Sequence, residues 1–241
     1  MTYTTVADVV RDLERNPAAG AANLYHPIPF PEFDHLTTSI PRAETQSKRD
    51  RIEAALQLLH PSGFAGLRFL DVGANGGFYT FHFAAKGARV TAYEIHPRYG
   101  PIGAFLARKK APQVEWNNLP FDSGRLEDRR YDVALMLSVF QWITEGDKRL
   151  QEGKELLRAV SRHSDALVFE LGFNSGNSAI TTKERNHVRA LYRLLRDNTD
   201  YTHHAYLGET RAWKEARHLF LSTKAPPPDF PGQWRKHWPP L

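Results

Sequence analysis

Cysteine is absent from the 241 residues. That excludes disulfides, cysteine nucleophiles and thiolate metal sites. No apolar run approaches the roughly 20 residues needed to cross a bilayer, so no membrane association is expected. The opening segment, residues 1–17, lacks the positive start and apolar core of a secretory signal. These absences set the expectation of a cytoplasmic protein in a reducing compartment. No internal repeat and no recognised nucleic-acid module is present. The net charge of +5 permits nucleic-acid binding without requiring it. The length suits one sizeable α/β domain with extensions, or two small ones.

What is present is organised around Arg68 to Pro97. Phe69-Leu70 opens a short apolar run that ends on Asp71. A turn with Gly73, Gly76 and Gly77 follows, then a helical segment from Phe78 to Lys86, and a second strand from Ala88 to Tyr93 that ends on Glu94. Glycines allow a sharp turn and close approach of a ligand. The helix N-terminus offers unpaired N–H groups, and an acid closing the second strand suits a ribose, because a carboxylate accepts from two vicinal hydroxyls. A dinucleotide site would show G-x-G-x-x-G. Here the first two glycines stand at Gly73 and Gly76, and the preceding Asp71 repels a pyrophosphate but suits an ammonium. An ordinary βαβ unit, with glycines that only turn the chain, is the bland alternative.

The string Asp71-Val72-Gly73-Ala74-Asn75-Gly76-Gly77, with Glu94 beyond it, resembles the first motif and ribose acid of the class I S-adenosylmethionine-dependent methyltransferase family. The resemblance covers roughly residues 66–224. It implies a Rossmann-like α/β fold, a seven-stranded mixed sheet with a terminal antiparallel strand pair. It also implies S-adenosyl-L-methionine as cofactor, bound by Asp71, Gly73, Asn75, Gly76 and Glu94. Residues 1–65 then form helices and an arm covering the site, and residues 225–241 a Pro/Trp-rich extension.

In the N-terminal part, Val6, Val9, Val10 and Leu13 have helical spacing, and Asn16-Pro17 ends that helix. Leu24 to Pro31 is aromatic and proline-rich, which favours an extended arm. Tyr25, His26, Phe30 and Phe33 are candidates for a substrate entrance, or for a cover over the first helices. Thr45 to His60 is expected as a helix with Ile52, Ala55, Leu56 and Leu59 buried. Gln46, Lys48, Arg49 and Arg51 cluster near its start, where the helix dipole disfavours cations. The resemblance implies one polar residue from this helix reaching the methionine carboxylate, with Gln46 and Arg49 as candidates; a solvated face is the alternative.

A helix is expected over Tyr99 to Lys110, and a third strand at Val114 to Trp116. The resemblance places the adenine in the loop that follows, where Asn117, Asn118 or Asp122 can accept from the amine and Leu119 or Phe121 can sandwich the ring. The fourth strand, within Tyr131 to Trp142, is almost continuously apolar, as a doubly covered strand should be. Ser138, Phe140, Gln141 and Trp142 follow at its C-terminal end, where ligands of open α/β sheets bind. In several relatives a proton-accepting histidine stands where Gln141 stands. Glutamine cannot act as a base, but it can orient a substrate oxygen. A fifth strand, Ala166 to Phe169, leads to Glu170, a candidate base or substrate ligand, or a carboxylate tied to neighbouring loop N–H groups. The loop beyond it suits a lid.

Strands are expected at Tyr201 to Leu207 and His218 to Ser222, separated by residues 208–213, where Arg211 and Trp213 are substrate candidates. His203 and His204 point to opposite faces of a strand, so no metal site is expected. The combined reading is methyl transfer to an oxygen or nitrogen of a small-molecule metabolite, with Glu170, Gln141 and His26 as catalytic candidates. Two alternatives stand beside it. One is an RNA methyltransferase gripping through Arg189, Arg193, Arg196 and the tail at Trp234 to Trp238. The other is a non-catalytic cofactor-binding protein. Oligomeric state is not legible.

Overall fold

The computed structural model describes residues 3–17, 21–174, 176, 178–212 and 215–225. Trp213 and the tail from Pro226 to Leu241 lie outside the described residues. The strands are β1 (Arg68–Val72), β2 (Arg89–Tyr93), β3 (Val114–Asn117), β4 (Tyr131–Leu137), β5 (Ser164–Leu171), β6 (His203–Ala212) and β7 (Glu215–Thr223). They form a seven-stranded sheet in the order β3-β2-β1-β4-β5-β7-β6. The helices are α1 (Val6–Arg15), α2 (Arg42–Leu59), α3 (Phe78–Ala85), α4 (Tyr99–Lys110), α5 (Phe140–Ile143), α6 (Leu150–His163) and α7 (His187–Asn198). Two compact units divide the chain.

The first unit takes in the described residues within 1–50 and 64–120. Here β1, β2 and β3 pair in parallel, with Leu70 opposite Thr91 and Ala92 opposite Trp116. Phe69 stacks on Phe83 at 4.7 Å, and Phe64 meets the Phe83 ring edge-on. At the N-terminus, α1 starts on a reciprocal capping box, Thr5 bonding Asp8 and Asp8 bonding back, which satisfies donors that a helix end otherwise leaves open. Val9 and Leu13 form its buried side.

The arm after α1 is not one extended run. Leu24 bridges Thr38, and a 3-10 turn at Pro31–Phe33 reverses the chain between them. This corrects the expectation for Phe33. Its side chain is fully buried and serves the core, so it cannot wall a substrate entrance. Phe30 packs 5.0 Å from Phe81, whose ring stacks in turn on Trp116. Helix α2 begins at Arg42, earlier than the sequence suggested, because the Pro41 carbonyl already accepts from the Thr45 N–H at 3.1 Å.

The second unit takes in the described residues within 51–63 and 121–225. In it β4 and β5 are parallel, and β7 runs antiparallel to both β5 and β6. Strand β5 is longer than expected, so Glu170 lies inside it, opposite Leu219. Residues 208–212, expected to separate the last two strands, instead continue β6 past a register shift between Tyr206 and Gly208. Arg211 therefore sits within a strand, opposite Ala216. Phe140 is fully buried, 5.4 Å from Phe169. That is a core position, which corrects its place in a substrate wall. Helix α6 buries Leu156, Leu157 and Val160, and α7 buries Leu191 and Leu195.

In α4, a Cβ added at Gly103 would meet the Trp116 ring at 2.0 Å. Glycine to alanine inside a helix ordinarily stabilises. Here the overpacking reverses the sign, and Gly103→Ala is expected to destabilise by about 1–3 kcal/mol. Urea unfolding checks this; a variant as stable as the parent would show that the Trp116 contact yields freely.

Candidate functional site

The first unit gathers the expected cofactor residues at the C-terminal ends of β1 and β2. Gly73 and Asn75 both take left-handed backbone, at φ 74° and 52°. Gly77 does so at φ 85°, where a Cβ would stand 2.3 Å from the Phe81 ring. The turn is thereby folded tightly over the start of α3. Glu94 is clasped by the backbone on both oxygens. Oε2 accepts from the Asn75 N–H at 2.6 Å, and Oε1 accepts from the His96 N–H at 2.7 Å. A carboxylate has lone pairs to spare beyond two such bonds, so both oxygens retain capacity for hydroxyl donors.

Asp71 is buried, and its Oδ2 accepts from the Thr80 hydroxyl at 2.6 Å. Burial pushes its carboxyl up to about 7; the Thr80 bond pulls the other way, and the neighbouring Glu94 charge adds to the rise. A nearby cation would relieve that strain, since an opposite charge favours the ionised form. Asn75 Oδ1 is buried and has no hydrogen-bond partner. An orphaned acceptor at the tip of a glycine turn fits a ligand that brings its own donors. Beside Glu94, Ile95 is 65% exposed, and Leu119 beyond β3 is 45% exposed. These are apolar surfaces suited to the faces of a flat ring. Ile95 was missed at the sequence level, although its place after the acid is the signal that points to it.

The other candidates of this unit separate by orientation. Gln46 faces solvent. Arg49 bonds Asp50 and lies 5.9 Å from the centre of the Phe78 ring. Lys48 turns inward, buried, with Nζ 5.7 Å from the centre of the Tyr79 ring. Lys48 and Arg49 are thus both brought onto the start of α3, Lys48 the more deeply buried. His26 Nδ1 lies 3.3 Å from Thr45 Oγ1, and its ring meets Tyr25 edge-on. Asn117 Nδ2 donates weakly to Ala92 O and Glu115, and Asn118 Oδ1 accepts from Trp116 Nε1 at 3.0 Å. In the second unit, Asp122 caps the 3-10 turn Ser123–Leu126, and Phe121 is buried.

The second unit gathers Ser138, Gln141 and Glu170. Glu170 is fully enclosed. The Ser138 hydroxyl donates to its Oε2 and the Thr210 hydroxyl to its Oε1. Two of its partners are thus hydroxyls, and Thr210 went unnoticed in sequence because β6 was expected to end before it. An enclosed carboxylate with both oxygens engaged is arranged to hold its neighbours in place rather than to collect a proton from a ligand. Ser138 has left-handed backbone, φ 56°, and donates its N–H to Glu170 O at 3.0 Å. Gln141 Nε2 donates to Ser138 O at 2.8 Å, while its Oε1 is buried without a partner. Trp142 is 65% exposed. Arg211 is exposed and bonds Glu209. The segment expected to be a lid is fastened in places: Thr181 donates to Asp147, and Asn174 exchanges bonds with Thr182. Among the described residues, no group of three histidine or acidic side chains could hold a metal ion, and no helix is long and apolar enough to cross a membrane.

A glycine turn whose Asn75 N–H meets the acid closing the next strand is the arrangement expected of a methyltransferase-type domain. Residues 70–162 match the family model described as a methyltransferase domain. Over those residues the chain is similar to class I S-adenosylmethionine-dependent methyltransferases, a type of domain whose cofactor is S-adenosylmethionine. A ubiquinone biosynthesis O-methyltransferase of Cereibacter sphaeroides is 29% identical over 98 residues, covering 41% of this chain and 40% of that protein. This chain thus spans less than half the length of that relative. Among solved structures, the bifunctional kinase-methyltransferase WbdD matches with a TM-score of 0.68 at 18% identity, covering 91% of this chain and 46% of that one. Magnesium protoporphyrin IX methyltransferase from Synechocystis, solved with bound S-adenosylmethionine, matches with a TM-score of 0.57 at 16% identity, covering 92% of both. These two likenesses show the fold alone.

Asp71 generates a prediction for the unliganded protein. Its folded value, about 7, lies above its ordinary 3.8. The stability linked to this group is therefore fully present below the ordinary value and is lost as pH rises through about 7. Asp71→Asn removes that loss. Thermal melts without ligand should decline more steeply between pH 5 and 8 for the parent than for the variant. Parallel curves would mean that Asp71 is already paired with a cation.

Proposed function

We propose that this chain transfers the methyl group of S-adenosylmethionine to an oxygen of a small molecule, with a nitrogen acceptor as the alternative. The observation that carries the reading is the clasped Glu94 facing a glycine turn whose Asn75 Oδ1 is buried and unpaired. S-adenosylmethionine supplies an electrophilic methyl on a sulfonium. Glu94 holds the ribose hydroxyls, and Asp71 answers the positive charge from within the strand end. Ile95 and Leu119 face the adenine. Lys48 or Arg49, at the start of α3, suits the methionine carboxylate.

In the transfer, the carbon–sulfur bond breaks with its electron pair left on sulfur. The bond to the acceptor oxygen forms, and the acceptor's proton must depart. Such transfer depends chiefly on alignment. Among the catalytic candidates, His26 offers a ring nitrogen as the proton acceptor. Within the second unit, the Gln141 Oε1 that has no partner suits a hydroxyl donor, and Glu170 secures Ser138. The preference for oxygen is supported by the relatives, which are O-methyltransferases of ubiquinone biosynthesis. A phenolic or hydroxylated aromatic acceptor fits the exposed face of Trp142. The RNA reading has less support: Arg193 and Arg196 on α7 already pair with Glu184 and Asp197.

Calorimetric titration with S-adenosylmethionine tests the cofactor site. Glu94→Ala should lose about 2 kcal/mol of binding, and an unchanged affinity would remove the ribose role. If Asp71 answers the cofactor's cation, affinity rises with pH up to about 7 and binding releases protons below it. Substrate class is tested by methyl transfer to a library of hydroxylated aromatics beside unfractionated RNA. Salt-sensitive RNA methylation with no product from the library would overturn the small-molecule reading.

A further inference from the structure

The loop between Glu94 and α4 does more than carry the acid. Its residues and the first turn of α4 reach the end of α1, the arm and the glycine turn. The His96 N–H donates to Glu94. The Arg98 N–H donates to His96 Nδ1 at 3.2 Å, and its guanidinium donates to Asn23 O at 3.0 Å and Leu13 O at 3.4 Å. Tyr99 accepts the Tyr25 N–H on its hydroxyl at 2.8 Å, and its ring lies 5.0 Å from the His96 ring. A Cβ added at Gly76 would meet Ile28 Cγ1 at 3.1 Å and Tyr99 Cδ1 at 3.9 Å. The arm and the tyrosine thus both press on the glycine turn. At Gly100, an added Cβ would meet Asn118 Oδ1 at 2.9 Å and Glu94 O at 3.1 Å.

The connections have a direction. Residues 23–28 of the arm lie on the glycine turn through Ile28. They are tied to the loop that holds Glu94 through one tyrosine hydroxyl and one guanidinium. Tyr99 is buried, and its hydroxyl is engaged by the arm. A ligand that tightens Glu94 and the glycine turn must favour the arm's docked position. By linkage, the docked arm must favour the ligand equally.

We propose that Tyr99, assisted by Arg98, is a positioning residue that latches the N-terminal arm to the ribose-binding loop, so that arm docking and S-adenosylmethionine binding strengthen each other. The latch rests on the cofactor reading above. It makes the arm a selective cover: it closes over a nucleoside that engages Glu94 and stays loose over one that does not.

The test uses S-adenosylmethionine and the full chain. Tyr99→Phe removes only the hydroxyl, and Arg98→Gln removes the second tie. Wild type should bind the cofactor, and its arm amides at residues 23–30 should exchange hydrogen more slowly when it is bound. Tyr99→Phe should weaken binding by about fivefold or more and abolish the cofactor-dependent protection of the arm. A cycle of Tyr99→Phe with Glu94→Gln should be non-additive, because both act through one loop. A merely structural role would shift stability and leave the cycle additive to within about twofold. Folding of each variant is checked by melting without ligand, and Arg98→Gln serves if Tyr99→Phe fails to fold. If wild type binds and both variants bind as well, with full arm protection, the latch is overturned while the cofactor reading stands. If wild type does not bind, the cofactor reading falls and takes the latch with it.

Discussion

The cofactor half of this protein depends on one carboxylate held by two backbone amides. Glu94 receives the N–H of Asn75 from the glycine turn and the N–H of His96 from its own loop. These charge-assisted bonds are stronger than neutral ones, and they join segments that the sequence separates. The turn after β1 and the loop after β2 are thereby tied to one carboxylate. The left-handed residues Gly73, Asn75 and Gly77 let the turn come close enough for the first bond. Asn75 pays in strain for its backbone, and its orphaned Oδ1 marks where a ligand completes the site. Strained non-glycine backbone persists where the surroundings over-determine it, and Glu94 is the surrounding group that does so.

A second carboxylate does comparable work in the other unit by different means. Glu170 is enclosed and takes hydroxyls from Ser138 and Thr210. It fixes Ser138 in left-handed backbone, and Ser138 O in turn fixes the Gln141 amide. Since Gln141 donates with its nitrogen, its oxygen is the end without a partner. Both strand ends therefore use an acid to define a loop conformation. At Glu94 the acid keeps lone pairs for hydroxyl donors; at Glu170 it is sealed. That contrast in enclosure distinguishes the two carboxylates more clearly than their similar places at the ends of strands.

The histidines illustrate how burial limits chemistry. His204 is pushed down to about 4, chiefly by burial, and its Nδ1 lies 2.9 Å from Ser222 Oγ. His218 is also lowered by burial and lies beside the Tyr206 hydroxyl. Both are neutral groups of the sheet's covered faces. They add no charge to the second unit, whose surface arginines on α7 are largely paired with neighbouring acids.

The strand, glycine turn, helix and second acid from Arg68 to Glu94 were legible in the sequence, because each rests on local rules: apolar runs, glycine spacing and an acid at a strand end. Helix α4 was legible to its ends for the same reason. Position within the core was not. Phe33 and Phe140 look like pocket aromatics in sequence, and only packing shows that they are buried. Lys48 is indistinguishable from Gln46 and Arg49 until the pitch of α2 turns it inward. Thr210 became a partner of Glu170 because β6 extends past Gly208 through pairing with β7, a non-local contact that no local propensity records. Tyr99 reads as an ordinary helix-start aromatic, yet its hydroxyl meets an arm more than seventy residues away. The sequence by itself determined which backbone turns could bind a nucleoside, since turn chemistry is local. Only the tertiary structure decided which side chains hold those turns in place, since that depends on distant segments meeting.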